Sequence, residues 1–228
     1  MKRKIEGAKN VILVASGKGG VGKSTIALAL AEILQLQGAR VGILDADIYG
    51  PSIPTMLGIN QKPELEDKKL LPILHRDFQV MSIGFVTTAE GALAWRGPMA
   101  TKALYQILGA TKWNNLDYLI IDMPPGTGDI HLSILENYQI DSVYMVTIPS
   151  LVSLRDVEKS ISLYQTFGVE IAGIIENMSG SFFGNAGEVL AEKYNIDLKG
   201  KIPLIPSISE KMDRGEPVGD LIKDHIDL

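Results

Sequence analysis

The sequence predicts an α/β fold, a doubly wound and mainly parallel sheet of about seven or eight strands with helices on both faces. Two observations predict this class. Short apolar runs alternate along the chain with longer segments of helical periodicity. A glycine-rich stretch, GKGGVGKST, lies between the first apolar run and the first helical segment, where open parallel sheets bind phosphates. The 228 residues are expected to form a single domain, 1–228, because that length suffices for one sizeable core.

The composition is that of an ordinary globular protein. Hydrophobic residues make up 46% of the chain, charged residues make up 21%, and the formal net charge is −5. This charge argues against nucleic acid or an anionic membrane as a partner, because both attract basic faces. No apolar run approaches the roughly 20 residues of a membrane span, and the start has no signal-peptide pattern. The expected location is therefore cytoplasmic.

The chain contains no cysteine. This excludes disulfides, thiolate zinc sites and cysteine-ligated iron–sulfur clusters within these residues. The three histidines, His75, His131 and His225, are far apart in the sequence and lack the spacing of metal ligands. They are expected to take surface or capping roles.

The first predicted strand and helix flank the most informative motif. Val11–Ala15 predicts the strand, Ile26–Leu36 predicts the helix, and the residues between them match G-x-x-x-x-G-K-[ST]. Glycines let consecutive backbone N–H groups turn toward one phosphate, and the following helix presents its positive end to the same anion. The predicted nucleotide-binding residues of this loop are Gly17, Lys18, Gly19, Gly20, Val21, Gly22, Lys23, Ser24 and Thr25.

Three side chains of this loop are candidates for binding the phosphates or a metal ion. Lys23 is expected to reach the β- and γ-phosphates of a nucleotide, and the Ser24 hydroxyl is placed to ligate Mg²⁺. Lys18 is not required by the motif. It is either a solvated loop lysine or a second cation at the same phosphates, supplied within the subunit or across a dimer.

The second predicted strand, Val41–Leu44, leads into two carboxylates. Gly38, just before it, suits the C-terminal end of the first helix. Asp45 and Asp47 are two residues apart, so on a strand they face the same side, at the carboxyl end where such sheets bind ligands. These two aspartates can be an ordinary acidic end of a strand that binds no ligand. Beside a phosphate loop, however, one carboxylate can hold Mg²⁺ through water and the other can orient the water that attacks the γ-phosphorus.

The middle of the chain is less informative. The polar segment 60–76 predicts a surface excursion, Phe78–Phe85 predicts a strand, and Ala100–Leu108 predicts a helix. Trp95 and Arg96, before that helix, fit either ordinary packing and solvation or a place at a dimer-facing or partner-facing edge.

The next strand supplies a further metal-ligand candidate. Asp117–Asp122 is an apolar run that ends in aspartate, and after a phosphate loop this predicts that Asp122 ligates Mg²⁺, usually through water. The stiff loop 124–129, PPGTGD, follows where a switch segment could sense the γ-phosphate. Asp129 fits such a switch role or the cap of a helix that begins near Ile130.

The last part of the chain continues the alternation. Ser142–Thr147 and Glu170–Ile175 predict strands, and Lys201–Pro206 predicts a last strand and loop. Leu151–Phe167 and Glu188–Lys193 predict helices, the first of which repeats apolar residues at steps of three and four.

Long segments of this sequence resemble the Mrp/ApbC family of iron–sulfur cluster carrier ATPases, a branch of the MinD/ParA-like ATPases whose "deviant" phosphate loop is similar to GKGGVGKST. The similarity extends from about residue 5 to about residue 217. The segments that carry it are ILDADIYGPSIP (43–54), WRGPM (95–99), DYLIIDMPPGTGD (117–129) and IENMSG (175–180).

The resemblance implies an activity, a cofactor set and partners. It implies a slow ATPase that binds ATP with Mg²⁺ and hydrolyses it in a homodimer that sandwiches the nucleotide. It also implies a role in iron–sulfur cluster assembly or transfer, with a scaffold or an apo-protein client. The preference for ATP over GTP rests on the resemblance alone.

The resemblance further implies a role for each site residue. Lys18 would cross the dimer, and Asp47 would orient the attacking water. For Asn177, whose side-chain amide can pair with an adenine edge, a simple turn role is the alternative. The implied catalytic residues are Lys18, Lys23 and Asp47, the metal-supporting residues are Ser24, Asp45 and Asp122, and the adenine contacts are Asn177 and Pro203.

The sequence departs from the family in one segment. Family members usually continue from the Asn-Met-Ser turn into a Cys-x-x-Cys loop, whose thiolates from two subunits bridge a 4Fe–4S cluster. Here Ser179–Gly187, SGSFFGNAG, runs directly into the helix at Glu188, so the cysteine loop is deleted. Cluster binding by the family's own mechanism is therefore not expected.

Three functions follow from these observations. The first is an Mrp/ApbC-type ATPase that acts in iron–sulfur protein maturation through a cysteine-bearing partner or a heterodimer. The second is a positioning ATPase similar to MinD or ParA, which predicts a basic DNA patch or a basic amphipathic tail, whereas 207–228 is acidic toward its end. The third is a nucleotide-switched regulatory protein that carries no cluster.

Overall fold

The computed structural model describes residues 2–86, 97–180 and 184–228. The strands are β1 (Ala8–Ser16), β2 (Val41–Asp45), β3 (Leu65–Glu66), β4 (Lys69–Leu70), β5 (Ile73–His75), β6 (Phe78–Ser82), β7 (Leu116–Asp122), β8 (Ser142–Thr147), β9 (Glu170–Ser179) and β10 (Leu198–Pro203). The α-helices are α1 (Lys23–Leu36), α2 (Ile53–Met56), α3 (Ile83–Val86), α4 (Gly97–Ala110), α5 (Asp129–Asn137), α6 (Leu154–Thr166), α7 (Ala186–Tyr194), α8 (Pro206–Asp213) and α9 (Gly219–Ile222), and short 3₁₀ turns occupy Leu151–Ser153 and Lys223–His225.

Eight of these strands form one sheet, in the order β10-β9-β8-β1-β7-β2-β6-β5. Neighbouring strands are parallel except for the edge pair β5 and β6, which is antiparallel. The strands β3 and β4 form a separate two-stranded antiparallel ribbon within the predicted surface excursion. The prediction of a mainly parallel, doubly wound sheet is therefore confirmed.

The sheet is buried on both faces, as β1 illustrates. Leu13 and Ala15 belong to one apolar cluster, whereas Val14 between them belongs to a second cluster, and none of the three is exposed. Successive side chains of a strand point to opposite faces, so the two clusters lie on opposite sides of the sheet. The helix α1 packs in the second cluster through residues such as Ile26 and Leu30.

The register of the central strands brings the predicted site together. Asp122 at the end of β7 pairs with Val14 of β1 on one side and with Asp45 of β2 on the other. Because these strands are parallel, their carboxyl ends meet at one edge of the sheet. The phosphate loop leaves β1 at this same edge.

Three predicted boundaries are corrected by the structure. The predicted strand Phe78–Phe85 ends at Ser82, whose hydroxyl accepts the Gly84 N–H at 2.9 Å and turns the chain into α3. Within the predicted strand and loop Lys201–Pro206, the strand ends at Pro203, and Pro206, predicted as loop, begins α8, because proline suits the first helical turn.

The third correction concerns Asp129, which the sequence offered as a possible helix cap. Gly128 occupies the N-cap of α5 and no side chain caps it. Asp129 lies in the first turn instead, where a carboxylate favours the positive end of the helix.

Two sequence predictions lie outside the described residues. Trp95 and Arg96, considered for a partner-facing edge, belong to the segment 87–96, and Ser181–Phe183 belong to the shortened loop after β9. Within the described ranges, no helix is both long and apolar enough to cross a bilayer.

Candidate nucleotide-binding site

The loop between β1 and α1 has the backbone geometry that its glycines predict. Gly20 and Gly22 adopt φ values of +79° and +81°, in the left-handed region that favours glycine. A Cβ at Gly22 would lie 2.2 Å from Asn177 Nδ2, and one at Gly17 would lie 2.4 Å from the backbone of Asp156. No side chain caps the N-terminus of α1, so its first N–H groups are directed at the loop. This geometry suits a phosphate.

The loop lines a cavity of about 360 Å³. Lys18, Lys23, Ser24 and Asp47 all line it, so the structure brings together the predicted phosphate-binding and water-orienting residues. Within the described parts of the chain, no carboxylate forms an ion pair with Lys18. Lys18 is half-buried at the rim of the cavity.

Lys23 is the centre of the buried charges at this site. Its Nζ lies 2.5 Å from Asp122 Oδ1, 3.5 Å from the Ser24 hydroxyl and 3.9 Å from Asp47 Oδ2. Lys23 is 6% exposed and Asp122 is fully buried. Burial raises the pKa of Asp122, and the adjacent Lys23 ammonium opposes this rise.

The second carboxylate oxygen of Asp122, Oδ2, is buried without a hydrogen-bond partner among the described residues. Buried carboxylate oxygens nearly always have a partner. An unpaired acceptor beside Ser24 and the phosphate loop therefore matches the position and chemistry of a water on a divalent cation.

Asp45 lies beneath the cavity and is fully buried. Its Oδ1 accepts the Asp47 N–H at 3.1 Å, and its Oδ2 accepts the Ile53 N–H at 3.1 Å and the Ser82 hydroxyl at 3.3 Å. Burial, and then the negative charge of Asp122, raise the pKa of Asp45 to about 7. Both oxygens thus face the protein interior and shape the segment that carries Asp47.

Asp47 presents one oxygen to the backbone and the other to the cavity. Its Oδ1 accepts the N–H groups of Tyr49 and Gly50 at 3.2 and 3.3 Å. Its Oδ2 is the oxygen nearest Lys23. The turn after β2 therefore fixes the carboxylate while leaving one oxygen available to a small molecule.

A second cavity, of about 190 Å³, lies beside the first and shares Thr25, Ser209 and Met212 with it. Asn177 and Pro203, the two predicted adenine contacts, both line this second cavity. The Asn177 amide is 6% exposed and donates to the Val21 carbonyl of the phosphate loop at 2.9 Å. Asn177 therefore lies directly against the phosphate loop.

Sequence reasoning missed one wall of the site. The helix α8 contributes Ser209 and Met212 to both cavities, although the sequence of 207–228 was considered only for its acidic end. No motif marks this helix. The proline at its first position and the apolar Ile208 and Met212 four residues apart were the signals available.

His131 corrects the expectation that each histidine is a surface or capping residue. Its ring is fully buried, with Nε2 2.9 Å from the Pro124 carbonyl and Nδ1 2.8 Å from the Tyr164 hydroxyl. A carbonyl only accepts, so Nε2 carries the proton and Nδ1 accepts from Tyr164. Burial lowers the pKa of His131 to about 4. The loop after Asp122 is thus held from below by a neutral imidazole.

The sheet order, the uncapped helix after a glycine-rich loop and the buried Lys23–Asp122 pair define a P-loop NTPase. Within this class, the chain belongs to the family described as ParA: NUBPL iron-transfer P-loop NTPase, which matches residues 7–226.

Two curated relatives place the chain more narrowly. An iron–sulfur cluster carrier protein of Rickettsia felis is 56% identical over 221 residues, which are 97% of this chain and 70% of that relative. An iron–sulfur cluster carrier protein of Escherichia coli K12 is 48% identical over 226 residues, covering 93% of this chain and 61% of that relative. The resemblance to the Mrp/ApbC branch is confirmed.

Solved structures agree with this placement. A nucleotide-binding protein from Archaeoglobus fulgidus, in complex with ADP and with cobalt found in it, superposes with a TM-score of 0.80 at 34% identity, over 92% of this chain and 88% of its own. The cell division ATPase MinD from Pyrococcus furiosus shares the fold, with a TM-score of 0.72 at 23% identity, over 91% and 89% of the two chains.

Proposed function

We propose that this chain is a Mg²⁺-dependent ATPase that acts in iron–sulfur cluster transfer, with the cluster-binding thiolates supplied by a partner. One observation carries the proposal: a full set of P-loop side chains occurs in a chain that is 56% identical to an iron–sulfur cluster carrier yet contains no cysteine. The nucleotide chemistry resides in this chain, and the cargo chemistry does not.

The triphosphate of ATP is assigned to the larger cavity and the adenine to the smaller one. Lys23 meets the β- and γ-phosphates, and the N–H groups of residues 19–24 surround them. Asn177 and Pro203 contact the base. The shared wall at Thr25 and Met212 then lies between the phosphates and the base.

Mg²⁺ fits the residues at the end of β7. The Ser24 hydroxyl would hold the ion directly, and the unpaired Oδ2 of Asp122 would accept a hydrogen bond from one of its waters. Asp45 supports the site from beneath through the backbone of Asp47 and Ile53. The ion, when bound, supplies positive charge to the β- and γ-phosphate oxygens.

Asp47 is the residue assigned to the attacking water. Its Oδ2 accepts a hydrogen bond from the water, whose oxygen forms the new bond to the γ-phosphorus as the bond to the β,γ-bridging oxygen breaks, and the water's proton leaves with the phosphate product. The products are ADP and inorganic phosphate. Lys23, which is within 4 Å of Asp47 Oδ2, balances the charge that develops on the phosphates.

Slow hydrolysis coupled to dimerisation is part of the proposal. Lys18 lines the cavity at its rim and forms no ion pair with the described residues. A cation so placed can reach the phosphates of its own subunit or those bound to a second copy. We assign it to the second copy, which makes ATP part of the homodimer interface.

The connection after β9 supports a partner-held cluster. The strand ends at Ser179 and α7 begins at Ala186, and buried Glu176 accepts the Gly187 N–H at 2.7 Å, which ties this helix to the strand. The cargo in this proposal is an iron–sulfur cluster bound as substrate by a cysteine-bearing scaffold or client. ATP hydrolysis by this chain changes the partner's affinity for the cluster.

Anaerobic reconstitution tests this division of roles. Iron and sulfide are counted on the chain alone, on a cysteine-bearing scaffold alone, and on the two together with Mg²⁺ and ATP. We expect no cluster on the chain alone and faster transfer from the scaffold to an apo-protein when ATP is present. The variant Lys23→Ala is the control for nucleotide dependence.

A negative result of the reconstitution experiment would favour a second function. If no partner gains or loses iron and sulfide faster with this chain and ATP, the iron–sulfur proposal fails. The lack of cysteine would then favour a nucleotide-switched regulatory protein that carries no cluster.

A further inference from the structure

Glu32 is a buried carboxylate that no step of ATP hydrolysis uses. It lies on α1, more than two turns after Lys23, and is 4% exposed. Its Oε2 accepts the backbone N–H of Val218 at 2.7 Å and that of Gly219 at 2.5 Å. Its Oε1 is buried and has no hydrogen-bond partner among the described residues. One carboxylate thus anchors the start of α9 to the helix that also begins at the phosphate loop.

The anchored segment is connected to the nucleotide site by a tight turn. The Glu216 N–H donates to the Lys211 carbonyl at 2.8 Å, and the Lys211 ammonium donates to the Pro217 carbonyl at 3.3 Å. The Gly215 N–H donates to the Met212 carbonyl at 2.9 Å. These bonds leave little freedom between the end of α8 and the residues that Glu32 holds.

Met212 is the end of this connection that faces the nucleotide. It is 8% exposed, lines both cavities, and lies 3.6 Å from the Thr25 hydroxyl through its sulfur. Thr25 and Glu32 are both on α1. This helix therefore contacts the α8–α9 segment at two points. The wall that Ser209 and Met212 form in the smaller cavity, called the base-side wall, is fixed between these points.

The Glu32 side chain packs closely against the backbone of Gly219. A Cβ at Gly219 would lie 2.8 Å from the Glu32 Cβ, so glycine permits this close approach. Val218 and Ile222 on either side are fully buried and belong to the same apolar cluster as α1. Burial raises the pKa of Glu32, and the two backbone donors offset part of the cost of its buried charge.

We propose that Glu32 is a positioning residue that holds the base-side wall of the nucleotide site, and thereby sets affinity through the adenosine part of ATP. The inference rests on the proposed function in assigning ATP to the two cavities. Glu32 acts through Met212 and not on the phosphates, so the affinity for a triphosphate without a base is independent of it.

Equilibrium binding of two probes, MgATP and magnesium tripolyphosphate, tests this assignment. We expect Glu32→Ala to weaken MgATP binding about tenfold, the order of one lost charge-assisted hydrogen bond, with tripolyphosphate binding unchanged. Glu32→Gln keeps an acceptor oxygen for the two N–H groups, so it should restore most of the MgATP affinity.

Asp141→Ala is the matched control. It removes a carboxylate that accepts a backbone N–H, that of Val11 at 2.7 Å, but at the amino end of the sheet. Both affinities should be unchanged in this variant. If Glu32→Ala does not fold, Glu32→Asp, which withdraws the acceptor by one methylene, takes its place and should lower only the MgATP affinity.

Two results would overturn the inference. One is unchanged MgATP affinity in the folded Glu32 variants. The other is an equal loss of affinity for both probes, which would show that Glu32 supports the whole site and not the base-side wall. Failure of the proposed function gives different results: if ATP does not occupy the two cavities, the wild-type chain does not bind MgATP, and if only the iron–sulfur role fails, wild-type MgATP binding is unchanged.

Discussion

The two sides of the nucleotide site are built in different ways. The phosphate side comes from one continuous stretch, residues 17–25, closed by carboxylates at the ends of the neighbouring strands. The base side comes from the ends of β9 and β10 and from α8, and long-range contacts such as that of Glu32 hold it together. Charge and backbone geometry dominate the first side, whereas packing dominates the second. Substitutions on the two sides should therefore affect different parts of ATP recognition.

Lys23→Ala should have the largest effect. It removes the ammonium that lies 2.5 Å from Asp122 and lines the phosphate cavity. We expect MgATP affinity to fall at least about 100-fold, with tripolyphosphate affinity falling in parallel, because charge-assisted hydrogen bonds to phosphate are lost. Calorimetric titration of both ligands measures this. Unchanged ATP affinity in the folded variant would refute the assignment of the site.

Asp47→Ala should separate catalysis from binding on the same side of the site. Since its Oδ2 faces the cavity and its role is to orient water, turnover should fall about 100-fold or more while MgATP affinity stays within about threefold. Phosphate release and equilibrium binding are measured on the same preparation, with Asp141→Ala as the control. Normal turnover in Asp47→Ala would remove this residue from the mechanism.

The contrast between the two sides also explains what the sequence could predict. The phosphate loop is local, so one motif contains its glycines, its lysine and the start of its helix. The carboxylates Asp45 and Asp122 were predictable because each ends an apolar strand, and parallel strands place their carboxyl ends together. Sequence alone did not show that Asp45 turns both oxygens toward backbone and side-chain donors.

The parts that were missed depend on tertiary contacts. The bonds from Thr25 to Met212 and from Gly219 to Glu32 each join residues 187 positions apart, and no local pattern encodes such a pair. His131 looks like any helical histidine in the sequence, and only the fold places Pro124 and Tyr164 at its two nitrogens. The strand boundary near Ser82 shifted because its hydroxyl accepts a turn N–H, and a helix begins at Pro206 where a loop was predicted.

His131 tests whether the phosphate side is also stabilised from below. Its pKa in the folded chain is about 4, below its ordinary value of 6.5. Between these values the unfolded chain binds more protons, so stability falls as the pH falls through this window. We expect the wild type to lose about 2 kcal/mol relative to His131→Gln between pH 7 and pH 5.

Urea unfolding of both proteins at the two pH values measures this difference. Contributions of other groups, such as Asp45, are common to both proteins and cancel in the comparison. His225→Gln, which replaces an exposed histidine, should show the wild-type dependence on pH. Parallel dependence in His131→Gln and wild type would mean that the buried imidazole does not resist protonation.

Lys18 should give the smallest effect and extends the comparison to the rim of the phosphate side. In an Asp47→Ala background, where hydrolysis is slow, ATP should raise the sedimentation coefficient as the proposed homodimer forms. Adding Lys18→Ala should weaken this association about tenfold, because a charge reaching the second subunit's phosphates is removed. Lys9→Ala, at the opposite end of the sheet, is the matched lysine control. A chain that stays monomeric with ATP would refute the dimer, whereas a dimer indifferent to Lys18 would return this lysine to its own subunit's phosphates.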